Sequence, residues 1–186
     1  MDFKNANELL ALCEEKNLPV SEIMRIREIE LGETASEIVN KKMTRVLEIM
    51  KDAAFSPIRQ PIKSMGGLIG GEARKLSLHA QEKRGLCGEL LQKAVTYAMA
   101  TLETNASMGL IVASPTAGSA GIVPGLLLAM QEHYDFSDEE IIQVLFNASA
   151  IGYLAMRNAT VAGAVGGCQA EVGVASAMAA SAAVEL

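Results

Sequence analysis

Three stretches of this sequence hold the residue types that could do chemistry. KSMGGLIGGEARKL runs from Lys63 to Leu76, TNASMGLIVASPTAGSAGIVPG from Thr104 to Gly125, and NATVAGAVGGCQAEVGVA from Asn158 to Ala175. Each sets glycines beside small polar residues in a chain otherwise rich in helix formers. Glycine is costly inside regular structure and is kept where the backbone turns sharply or comes close to something else. A glycine loop that leads into a helix exposes N–H groups able to hold an anion. The first stretch fits that form, with a helix expected from about Glu72. It lacks the Gly-Lys-Ser/Thr ending of a nucleotide phosphate loop and the spacing of a dinucleotide fingerprint. Without a ligand it is a plain turn between helices. Lys63 at its start is a candidate base if its pKa is lowered; otherwise it is a solvated lysine.

In the second stretch, Thr116, Ser119 and the N–H groups of Gly118 to Gly121 are expected to face outward at a helix start. That arrangement suits a small carboxylate. It brings no carboxylate or imidazole of its own, so it would bind and orient rather than move protons. The plain alternative is a buried loop with satisfied hydroxyls. In the third stretch, Cys168 follows two glycines and precedes a helix, where a thiol is more acidic and ligates metal readily. A buried cysteine is otherwise a small hydrophobe. Glu171, one turn on, is a second candidate base or a partner of a ligand. Cys13 and Cys87 fall on expected helices, and His79 and His133 are not spaced to make a metal site with Cys168.

Helices must position these stretches. The expected ones are Asn5 to Lys16, one opening at Ser21-Glu22, and a long surface helix from Glu33 to Phe55 ended by Ser56-Pro57. Further helices are expected from Leu86 to Glu103 and from Ser119 to Tyr134, the latter starting near Gly121 to Val123 so that Pro124 lies in a first turn. Ser137 and Glu140 form a capping box for a helix to about Asn158. An alanine-rich helix runs from Cys168 to Leu186. Met108 to Ala113 is an apolar run whose periodicity does not separate an extended segment from a buried turn.

Composition agrees with an all-α chain. Half of the 186 residues are hydrophobic, yet aromatics make up 4% and Trp is absent, which favours close helix packing over a sheet sandwich. A net charge of -6 excludes a nucleic-acid partner that would need a basic face. Ala106 to Met130 carries no charge, but its two prolines and four glycines exclude a membrane span, because lipid leaves such backbone unpaired. Three scattered cysteines and no secretion signal point to a cytoplasmic protein with reduced thiols. Residues 1–103 hold 15 of the 16 Lys and Arg, so the later part is expected to be buried or covered by another chain. The expected organisation is a single mainly helical domain, residues 1–186, with glycine-rich loops at helix starts.

Taken together, SMGGLIGGEARKL, TNASMGLIVASPTAGSAGIVPG and GGCQAEVG, in this order, resemble the iron–sulfur-dependent L-serine dehydratases, in particular the alpha chain of their two-chain bacterial form. The resemblance covers essentially the whole chain. It implies an all-α catalytic domain that degrades L-serine to pyruvate and ammonium, an amino-acid breakdown step feeding gluconeogenesis, without pyridoxal phosphate. It implies a [4Fe–4S] cluster held by three cysteines, whose open iron is a Lewis acid toward the serine hydroxyl. It implies that Cys168 is the first cluster ligand and that Thr116, Ala117, Gly118, Ser119 and Gly121 hold the substrate. Asn105 binds there too, and Lys63, Ser64, Gly66 and Gly67 line the same pocket. It implies a beta chain as partner, with a homo-oligomer also open. The family's other two ligand cysteines lie downstream of Gly-Gly-Cys-Gln, so the sequence is expected to be a C-terminally incomplete alpha chain, inactive alone. A non-catalytic helical binding or scaffold subunit stays open as the alternative.

Overall fold

The computed structural model describes residues 1–82 and 87–186. Leu86, the expected start of one helix, lies outside the described residues. Among those described, the chain is helical and contains no strand. The helices are α1 (Ala6–Lys16), α2 (Val20–Leu31), α3 (Ser36–Arg59), α4 (Glu72–Glu82), α5 (Glu89–Ala106), α6 (Ile122–Tyr134), α7 (Asp138–Asn158), α8 (Gly163–Gly166) and α9 (Cys168–Glu185). No helix among the described residues is long and apolar enough to cross a membrane. The residues group into two compact units, Met1–Leu47 with Ser137–Leu186, and Glu48–Phe136.

In the first unit, local signals set the ends of the helices. Asn5 caps α1 by accepting the Glu8 N–H, and left-handed Asn17 closes it. Ser137 and Glu140 form the reciprocal capping box of α7. This satisfies two donors that a helix start otherwise leaves open. The burial of Phe3, Leu9, Ile23, Met24, Val39, Phe146 and Ala150 makes the core. Fully burying each larger apolar side chain among them contributes roughly 1.5–3 kcal/mol. Arg27 stacks over Tyr153 at 3.9 Å and pairs with Asp2 at 2.8 Å, holding Asp2 below the usual carboxylate range through that hydrogen bond.

In the second unit, α5 packs against α4 and α6. The α5–α6 contact is close because its residues are small. A Cβ on Gly121 would lie 2.5 Å from the Ala98 carbonyl oxygen, and one on Gly125 2.8 Å from that of Ala94. One expectation needs correction here. Helix α3 does not end at Ser56-Pro57; it continues to Arg59 with Pro57 inside it. A proline has no N–H for the carbonyl four residues earlier, and that carbonyl, Ala53, accepts from the Thr104 hydroxyl at 2.9 Å instead. Arg74 then donates to the carbonyls of Ile58 and Arg59 at the helix end. Of the two readings left open for Met108 to Ala113, the buried turn does not hold: the run is not helical and Leu110 is exposed.

Candidate active site

The last turn of α5, Glu103 to Ser107, is the post on which two of the glycine stretches meet. On one side, the Met65 N–H donates to the Ala106 carbonyl at 3.4 Å. On the other, the Asn105 side-chain amide donates to the Ala117 carbonyl at 3.0 Å. Ser64, Gly66 and Gly67 are thus brought to the same helix end as Asn105 and Ala117. The first loop is built on Ser64. Its N–H donates to the Ile69 carbonyl at 2.8 Å, its hydroxyl accepts from the Ile69 N–H at 3.1 Å, and its carbonyl accepts from the Gly67 N–H. Its base demands glycine: Gly70 has φ +145°, and a Cβ there would sit 2.0 Å from the Ile62 carbonyl oxygen. Its tip does not, since a Cβ on Gly66 would meet nothing within 4 Å. Lys63 stands exposed at the loop's start.

The second stretch presents part of what its sequence suggested. Ala117 and Gly118 are exposed and Thr116 is half-buried. Ser119 does not face outward. It is 2% exposed, and its hydroxyl pairs with Thr116 Oγ1 at 3.1 Å and reaches the Ser114 carbonyl at 3.4 Å. The apolar start of α6 draws it under, because Ala120 and Val123 are core residues. Gly121 is buried too, and its missing side chain serves the α5 contact.

Two hydroxyls beside this turn, Ser107 Oγ and Ser114 Oγ, are buried with no partner. Buried polar groups normally find one, so both have hydrogen-bonding capacity left for a ligand. Neither was singled out by the sequence, where a serine in a loop carries no signal of burial.

Glu103 was missed as well. It is 2% exposed, and its Oε1 accepts from the Ala73 N–H at 2.9 Å near the start of α4. Oε2 is buried with no hydrogen-bond partner. In the same turn, Glu72 Oε2 accepts from the Gly70 N–H at 2.6 Å. That bond, its own backbone N–H and the charge of Lys75 hold Glu72 below its ordinary range, against the cost of desolvation. The available signal was position: Glu103 follows Tyr97 and Ala100 on the buried stripe of α5, where a lone acid is out of place.

The third stretch belongs to the other unit. Cys168 is exposed and is the first residue of α9, after Gly167 at φ +79°. Glu171 packs its carboxylate against Gly163, where a Cβ would lie 3.0–3.1 Å from it. Cys13, on α1, is half-buried, and desolvation followed by the Glu185 charge pushes its thiol pKa up, the reverse of what a ligand needs. Among the described residues no three His, Cys, Asp or Glu side chains gather as metal ligands. One thiol at α9 does not fit a four-iron cluster that takes three cysteines.

A sequence model of the family described as "Serine dehydratase alpha chain" matches residues 15–186. The chain belongs to that family. It is 44% identical over 184 residues to the probable L-serine dehydratase, alpha chain, of Bacillus subtilis (strain 168), covering 99% of this chain and 61% of that one. It is 39% identical to the L-serine dehydratase, alpha chain, of Peptoniphilus asaccharolyticus, covering 99% and 63%. With the L-serine dehydratase of Helicobacter pylori (strain ATCC 700392 / 26695) it shares 37% identity, over 96% of this chain and 40% of that protein. The chain therefore spans about three-fifths of the alpha-chain relatives. Family membership accounts for all three glycine stretches lying in one chain, since the matched region contains them all.

Proposed function

We propose that this chain is the substrate-binding part of an L-serine dehydratase, acting in the breakdown of L-serine to pyruvate and ammonium. The observation that carries the reading is the meeting of two glycine stretches on the end of α5, within a chain of the serine dehydratase alpha chain family. The serine carboxylate fits the Gly66 N–H and those of the Ala117–Gly118 turn, since the Ser64, Met65 and Gly67 N–H groups already donate to carbonyls. Asn105 orients it, and Ser107, Ser114 and Thr116 offer hydroxyls to its polar groups. Gly121 and Ser119 support this turn from beneath.

A base takes the Cα proton and hydroxide leaves. The aminoacrylate tautomerises to an imine, and water hydrolyses it to pyruvate and ammonium, so the water lost is regained. Lys63 is the candidate base beside the loop, with Glu171 the other. The family resemblance brings a [4Fe–4S] cluster as Lewis acid for the departing hydroxyl, and no pyridoxal phosphate. These residues give such a cluster one thiol, Cys168, so the other ligands have to come from outside them. Exposed Met65, Leu68, Met108 and Leu110 fit a surface covered by a beta chain or a second copy. Serine is favoured over threonine only by what one methyl is worth, roughly 1–3 kcal/mol.

The test is anaerobic reconstitution of the full-length natural chain with its beta chain, iron and sulfide. Pyruvate and ammonium are expected in equal amounts from L-serine, and none from the 186-residue polypeptide. No pyruvate from the reconstituted protein would overturn the reading. The single thiol also favours a second reading, a non-catalytic binding subunit, which predicts L-serine binding with neither iron nor pyruvate.

A further inference from the structure

We propose that Glu103 is a positioning residue: a buried brace that holds the Ser64–Gly71 loop beside Asn105 and so sets the affinity for substrate. The inference rests on the substrate reading above. The tip of the loop has no packing of its own, since a side chain at Gly66 would touch nothing within 4 Å. Its place is therefore decided by how its ends are tied. At the near end the tie is one long bond, Met65 N–H to the Ala106 carbonyl at 3.4 Å. At the far end there are two. Glu103 accepts the Ala73 N–H at 2.9 Å, two residues past the loop, and Glu72, the chain neighbour of Ala73, accepts the Gly70 N–H at 2.6 Å. Gly70 is also the residue whose backbone crosses Ile62 and Lys63 at the loop's base. Charge-assisted bonds of this kind are about twice as strong as neutral ones, so the far end is the firmer.

Burying an acid for this purpose is costly, and an exposed residue could not do it. Glu103 stands two residues before Asn105 on one helical turn. One rigid element therefore carries both the brace for the first loop and the amide that grips the second at Ala117. Losing the brace leaves Asn105 in place and lets the first loop drift from it.

The experiment uses the full-length chain with its beta chain, in three variants: Glu103→Ala, Glu103→Gln and Glu103→Met. Two quantities are read: steady-state kinetics for L-serine, and amide exchange by mass spectrometry over Ser64–Ala73. Glu103→Ala is expected to raise the KM by about tenfold or more, the size of a lost charge-assisted hydrogen bond, with kcat changed far less. Exchange over Ser64–Ala73 should quicken while α6 and α7 stay protected. Gln can still accept from Ala73, so Glu103→Gln should restore both readouts to within about threefold of wild type. Glu103→Met fills the same space without accepting a hydrogen bond and should mimic Glu103→Ala, which keeps the test usable if that variant does not fold. Unchanged KM and exchange in Glu103→Met would overturn the brace. So would a Glu103→Gln protein whose loop is protected but whose kinetics stay impaired, because the carboxyl would then be acting on the chemistry. If wild type makes no pyruvate, the substrate reading fails, and the exchange readout still decides whether Glu103 braces the loop.

Discussion

The two glycine stretches that meet at the end of α5 use glycine for different ends. In Ser114–Gly125 the glycines serve the fold: Gly121 and Gly125 let α6 lie against the backbone of α5, with a Cβ at either position meeting an α5 carbonyl oxygen at 2.5 or 2.8 Å. In Ser64–Gly71 the work is divided. Gly70 is needed for the crossing at the base, while Gly66 at the tip faces open space. A glycine with nothing near it has no packing reason to be glycine, and the proposed substrate site offers another, close approach of a ligand. Glycine count alone therefore says little about a site; what a Cβ would strike says more.

That contrast can be broken most forcefully at Gly121. Gly121→Val drives a branched side chain into Ala98, and should cost about 3 kcal/mol, the upper end for overpacking, read as a lower urea midpoint. Equal stability to wild type would mean that α5 and α6 are not in such close contact. Next comes the residue between the two loops. Thr104→Val removes the hydroxyl that satisfies the Ala53 carbonyl below Pro57, and should lose roughly 1–2 kcal/mol in the same assay. If nothing is lost, water satisfies that carbonyl and α3 needs no help from α5. The smallest stability effect is expected at the loop tip. Gly66→Ala should change stability by no more than about 0.5 kcal/mol, yet raise the KM for L-serine in the full-length enzyme. A KM left unchanged would place the substrate away from the tip.

Much of the helical framework was legible because its signals are local. Asn5, the Ser137–Glu140 box and Gly167 each mark a helix start in sequence and structure alike. What could not be read depended on partners distant in sequence. Pro57 looks like a stop until Thr104 is found covering Ala53. Ser119 looks like an exposed hydroxyl until the burial of Ala120 and Val123 draws it under. Glu103 stands on the buried stripe of α5, but its partner, the Ala73 N–H, lies 30 residues earlier and could not be read from the sequence. The candidate site was legible as motifs but not as an assembly. The family resemblance implied Ser64, Gly66, Gly67, Asn105 and Thr116, but it could not show that α5 gathers the two loops. Nor could it add ligands beside Cys168, around which no group of three His, Cys, Asp or Glu gathers among the described residues.

The most direct test of the account is amide exchange of the protein assembled with the proposed beta chain, in the absence and presence of saturating L-serine. Added serine should slow exchange over Ser64–Gly67 and over Asn105–Gly118 together, with α1 unaffected. Slowing confined to other segments, or in neither loop, would contradict the claim that the end of α5 gathers the substrate site.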